Sequence, residues 1–216
     1  MGMVRLLLAL SVVMAHASPI FGQGLVGGRA AVQCFFVISG FYITMILNQD
    51  YRNASLFYLN RALRIYPMYF AVLICILVLN YLGGGSSFDG ITPIVHAIRF
   101  LTNFTLFFQD TLVFTGIDAD GSLHWARSFS DFERPGYLLI LIPPVWSISI
   151  ELMFYLIAPF IVRRILALLA LLAASLAVRV LTYIYISAGE PWTYRFILSE
   201  MGLFALGGLS YHLMQR

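Results

Sequence analysis

The chain has 216 residues, 61% of them hydrophobic and only 11% charged, where a soluble domain carries about 25% charged residues. That balance puts most of the chain in lipid and excludes an ordinary soluble globular protein. Net charge is +3, and all 13 basic residues are arginines scattered along the chain, not the basic stripe that nucleic acid would need.

Apolar windows predict membrane segments near residues 4–21, 30–49, 65–82, 137–162, 165–187 and 196–214, with a weaker one at 91–108. The expected fold is therefore all-α, a polytopic transmembrane bundle of about six to seven segments. The first window holds Arg5 and His16, eleven residues apart. That spacing is close to three helical turns, so both side chains share a face, roughly 16 Å apart along the axis. Ionisable groups are costly in hydrocarbon, which makes this pair a candidate functional site. Arg5, the apolar run and Ala15-His16-Ala17 also fit a signal peptide with its cleavage site, and these residues alone leave the two readings open.

Glycines at 22–28 and 83–85 mark connections. Arg52, Arg61 and Arg64 crowd the connection after the second segment, which predicts a cytoplasmic loop there and a cytoplasmic N-terminus. Beyond residue 90 the arginines no longer orient the chain. Thr102, Asn103, Thr105, His96 and Arg99 make 91–108 a poor span, so it reads as re-entrant or interfacial. The stretch 109–136 carries Asp110, Asp118, Asp120, Arg127, Asp131, Glu133 and Arg134, and reads as a solvated loop. Cys34 and Cys75 lie in apolar runs without metal-like spacing and read as buried, inert thiols.

A second constellation begins at Pro143-Pro144, which suit the start or a break of a helix. After them Ser147, Glu151 and Tyr155 recur every four residues, along one helical face. Glu151 falls near the middle of its apolar run, at a depth comparable with His16. A carboxylate and an imidazole at matched depth could form an acid–base pair. Arg61 and Arg64, three apart, make a fork suited to phosphates, although spacing alone favours plain anchoring to lipid headgroups. Ser39-Gly40 reads as a helix-packing position. His96, His124 and His212 stand alone, and no metal site is expected. Asp118 and Asp120 read as turn residues.

Taken together these residues resemble the acyltransferase 3 family of integral-membrane acyltransferases. Four motifs occur in family order: Arg5-x10-His16, FFVISGF at 35–41, Arg61-x-x-Arg64-Ile-x-Pro67, and WSxxxExxFY at 146–155. A weaker echo runs from Arg195-Phe196 to Phe204-Ala-Leu-Gly207. The first motif argues against signal-peptide cleavage, which would discard it.

The resemblance implies transfer of an acyl group, commonly acetyl, from acyl-CoA to a hydroxyl of a cell-surface or exported carbohydrate. It implies His16 and Glu151 as the catalytic pair, Arg5 as a positioning residue, and Arg61 and Arg64 as the donor site. Trp146, Ser147 and Tyr155 are assigned with them to substrate or donor binding. Acyl-CoA is then a co-substrate with no bound cofactor, and the partners are the lipid bilayer and a carbohydrate, not nucleic acid. The implied location is the cytoplasmic (inner) membrane. Many relatives carry an acid where Gln33 stands.

The family fold has roughly ten membrane helices. This chain therefore reads as a single acyltransferase domain over 1–216, the N-terminal part of that fold, whether C-terminally truncated, fragmentary or compact. Two rival readings are a proton-coupled transporter or flippase-like protein, with His16 and Glu151 as a proton relay, and an inactive family fragment. The transporter predicts internal repeats, and the sequence has none.

Overall fold

A computed structural model describes residues 2–16, 26–50, 53–83, 90–128 and 131–215. Eight helices and one small sheet follow in order: α1 Gly2–His16, α2 Gly28–Gln49, α3 Ala54–Leu82, α4 Pro93–Thr105 and α5 Gln109–Leu112. Then come β1 Thr115–Ile117, β2 Leu123–Trp125, β3 Arg134–Pro135, α6 Trp146–Ile161, α7 Ile165–Tyr185 and α8 Ile197–Met214. By length and composition four of these elements could cross a membrane: α2, α3, α6 with its leading turn from Pro143, and α7. The all-α expectation holds. The count of six to seven spans does not follow from these helices, because α1 is a shorter apolar helix, α4 has 13 residues, and α8, expected as the span 196–214, is not among the helices long and apolar enough to cross.

The centre is the crossing of α2 and α8. A Cβ on Gly40 would lie 2.1 Å from the Phe204 carbonyl oxygen, and one on Gly207 would lie 1.9 Å from that of Val37. Only glycine lets the two backbones touch in this way. Aromatic rings extend the contact: Phe204 stacks on Phe36 of α2 at 4.8 Å and on Phe154 of α6 at 4.4 Å. Helix α7 joins from the other side. Ser175 donates to the Ser199 carbonyl (2.8 Å) and accepts from the Gly202 amide (2.8 Å). In the same interface Arg179 pairs with the buried Glu200 at 2.8 Å. Helix α1 runs antiparallel to α2, with Ala15 against Gly28 at one end and Arg5 over Tyr42 at the other. The outward faces of α3 and α7 stay apolar and exposed, as a lipid-facing surface requires.

Several boundaries differ from those read off the sequence. Helix α3 begins at Ala54, well before residue 65, because the Asn53 side chain caps it by accepting from the Ser55 amide. The 137–162 window is not one helix. It opens with two 3₁₀ turns, Gly136–Leu139 and Pro143–Val145, and α6 starts only after the two prolines, whose missing N–H groups and rings stop a helix running through them. Segment 91–108 holds the short helix α4, set between the sheet and α3. Its first turn meets the sheet, where the Thr92 amide donates to the Gly121 carbonyl (3.0 Å). Its last turn lies against mid-α3, where Tyr66 donates to the Thr105 carbonyl (2.6 Å) and Tyr69 to that of Asn103. Leu106 and Phe108, at φ 66 and 62, then reverse the chain towards β1.

Asp110 is not in a solvated loop. It is 1% exposed and accepts from Ser149 Oγ at 3.2 Å, because α5 folds back onto α6. Asp118 and Asp120 do form the β1–β2 turn, where Asp120 takes the Ser122 amide. Cys34 and Cys75 are free but exposed, on outward helix faces and not buried. Arg52, Ser18-Pro19, Arg216 and the glycines at 22, 24, 84 and 85 lie outside the described residues.

Two predictions follow from this packing. In an open helix Gly→Ala adds about 1 kcal/mol of stability. At Gly207 the sign should reverse, with Gly207→Ala losing about 1–3 kcal/mol in thermal unfolding in detergent while Gly2→Ala, which meets nothing within 4 Å, does not. Burial also pushes the Asp110 carboxyl from 3.8 up to about 6, against the opposing hydrogen bond from Ser149. A raised carboxyl favours the folded state below its unfolded value and loses that contribution as pH climbs through about 6. Asp110→Asn should therefore flatten the fall in melting temperature between about pH 4 and pH 6. An unchanged profile would remove Asp110 as its cause.

Candidate active site

Two sets of side chains gather at opposite ends of α1. The first lines a cavity of about 440 Å³ between α1, α2, α3 and α6. Arg5 enters it from α1, Arg61 and Arg64 from one face of α3, and Glu151 and Tyr155 from one face of α6. The carboxylate is held by two hydroxyls: Ser39 and Tyr155 each donate to Glu151 Oε1 at 2.5 Å. Three guanidinium groups thus face one carboxylate, a net positive cavity. The Arg61 Nε atom is buried without a hydrogen-bond partner among the described residues. An orphaned buried donor is costly, and an anion with several oxygens satisfies it.

The second set surrounds His16. Two adjoining cavities of about 300 and 220 Å³ share His16, Trp146 and Arg195. Tyr137 and Pro143 close one, and Ser147 and Tyr194 close the other. His16 Nδ1 lies 2.8 Å from the Val12 carbonyl. A carbonyl only accepts, so Nδ1 carries the proton, and the neutral ring keeps its lone pair on Nε2. That is the arrangement a general base needs. Arg195 lies over the Trp146 ring at 4.7 Å and the Tyr194 ring at 5.4 Å, and pairs with Glu190 at 3.3 Å. Burial pushes the Tyr194 phenol up to about 12, so it remains protonated at neutral pH.

Helix α1 connects the two sets, with Arg5 in one and His16 in the other, about 16 Å apart along the helix. Helix α6 runs the opposite way, with Trp146 and Ser147 beside His16 and Glu151 and Tyr155 beside Arg5. The residues read from sequence as one site are all at these two ends. The expected His16–Glu151 contact is not among the bonds either residue makes: Glu151 is taken by Ser39 and Tyr155, and His16 by Val12. Ser147 also leaves the Glu151 face, donating to the Pro144 carbonyl at 2.9 Å as part of the turn that starts α6. Gln33 comes within 3.5 Å of both oxygens of the buried Glu200.

Three contributors were missed or undervalued. Ser39, read as packing, holds Glu151. Tyr194 was not singled out, and Arg195 appeared only in the weak echo. An arginine between aromatics near an apolar segment carried the same signal as Arg5. His124, read as standing alone, lies with Asp118 and Asp120 close enough to hold a metal, but the three are exposed, His124 on β2 and the two acids in the β1–β2 turn, and line neither cavity.

No curated protein and no solved structure matches the chain. A family model does: that of the acyltransferase 3 family, described as an acyltransferase domain, matches residues 1–213. Since that match covers nearly the whole chain, and its apolar helices suit a multi-pass membrane protein, the chain belongs to the acyltransferase 3 family and is a membrane acyltransferase.

Proposed function

We propose that this protein transfers an acyl group, acetyl in the simplest case, from acyl-CoA to a hydroxyl of a cell-surface or exported carbohydrate. The observation that carries the reading is that α1 and α6 each reach from a cavity lined by three arginines at one end to the His16 cavities at the other. The donor's phosphates lie on Arg61 and Arg64, with Arg5 completing the cavity, and its thin pantetheine arm runs along α1. The thioester then reaches the His16 cleft.

There His16 Nε2 takes the proton of the acceptor hydroxyl as the oxygen attacks the thioester carbonyl. A C–O bond forms and the C–S bond breaks. The thiolate leaves with the proton returned from His16. Arg195 supplies positive charge beside the developing oxyanion, and Trp146 offers a flat face to the sugar. Glu151 is reassigned from partner of His16 to anchor of the donor cavity, where it fixes Ser39 and Tyr155 and offsets part of the arginine charge. In this reading the N-terminus and the arginine cavity face the cytoplasm, where acyl-CoA is made, and the protein resides in the cytoplasmic membrane as a single acyltransferase domain.

Membranes incubated with labelled acetyl-CoA and host glycan extract provide the test. His16→Ala should lower transfer by about 10²–10⁴-fold while the protein still inserts; near wild-type activity in that variant overturns the scheme. Arg61→Gln should act on the donor, raising its KM by about tenfold or more, with a smaller effect on kcat. Equal KM values for the variant and wild type would move the donor elsewhere.

A further inference from the structure

A third kind of cavity lies away from the arginine and His16 cavities. It is a trough of about 650 Å³ between α3 and α4. Leu73, Ile74 and Leu77 of α3 form one wall, and Phe100 and Phe104 of α4 form the other. Leu77 is 46% exposed and Phe100 65%, so the trough opens outward to the lipid side and not into the bundle.

Its two basic side chains are placed in order of depth. Phe104 stands at the inner end, with its ring 5.4 Å from that of Phe70 in mid-α3. From there helical rise puts Arg99 roughly 8 Å and His96 roughly 12 Å towards the N-terminus of α4. That end meets the solvated sheet through the Thr92–Gly121 bond. The trough therefore has a basic mouth at the polar end and an apolar floor beneath it. No carboxylate is among its described lining residues. This is the complement of a molecule with a negative head and a long apolar tail.

We propose that the trough binds one anionic glycerophospholipid, its phosphate on Arg99 and His96 and one acyl chain between Leu73 and Phe104. The bound lipid also braces the approach to the His16 cleft. Leu141 lines the trough and donates its amide to Asn103 of α4 (2.9 Å), and Pro143, two residues on, lines the cleft.

The test is native mass spectrometry of purified protein, equilibrated in micelles with equal amounts of phosphatidylglycerol and phosphatidylcholine. Wild type should retain one lipid, with phosphatidylglycerol favoured by about fivefold or more, the ratio that roughly 1 kcal/mol per basic group supplies. Arg99→Gln and His96→Gln should each erode that preference without loss of helical circular dichroism. Leu77→Trp, which blocks the trough from an exposed position at the level of Arg99 and His96, should lose the retained lipid. Arg164→Gln, which changes a surface arginine outside the trough, should change nothing. Equal retention of the two lipids by wild type overturns the proposal. So does lipid retention by Leu77→Trp, a readout that stands even if Arg99→Gln fails to fold, or an equal loss in Arg164→Gln.

Discussion

The backbone contact between α2 and α8 is the constraint on which the rest of the structure depends. In a bilayer no hydrophobic driving force pushes apolar helices together, because lipid solvates them as well as protein does. Close approach must come from small residues and dispersion, and Gly40 and Gly207 provide it by letting each helix rest on the other's backbone. Once that contact is set, its neighbours have fixed places. Ser39, beside Gly40, points to Glu151 of α6, and Phe204, opposite Gly40, stacks on Phe154 of the same helix. The position of α6, and hence of Glu151, Tyr155 and Trp146, follows from one glycine-mediated crossing.

The polar groups inside this apolar chain illustrate a second rule, that buried donors and acceptors need partners. Asn103 meets it completely. Its amide nitrogen donates to the Arg99 and Leu139 carbonyls and its oxygen accepts from Leu141, so one side chain ties α4 to the strand of chain that leads into α6. Glu200, with no exposed surface, is neutralised by Arg179 and flanked by Gln33. Arg61 differs from these two, because its Nε has no hydrogen-bond partner among the described residues in a cavity where three arginines converge.

The charged groups are also kept apart. Arg5, Arg61 and Arg64 line one cavity and His16 lines two others, with Arg5 about three helical turns from His16 along α1. Arg195, closer to His16, is already paired with Glu190 and spread over two aromatic rings.

The sequence by itself determined the class, the approximate place of the helices and which ionisable residues to single out as a candidate site. Hydropathy marks apolar helices because lipid leaves the backbone no other partner, and ionisable residues within them stand out because their cost must be justified. Arg5, His16, Arg61, Arg64 and Glu151 were all legible in that way. What the sequence could not show was which of them meet. Helical periodicity gives a face and a depth, and on those grounds His16 and Glu151 looked like partners. Only the tertiary structure decided that Ser39 of α2 donates to Glu151 and that His16 and Glu151 line different cavities. The burial of Asp110 and the exposure of both cysteines had the same origin. Each depends on which element packs against which, and that is set by contacts between segments distant in the chain, such as Gly207 on Val37.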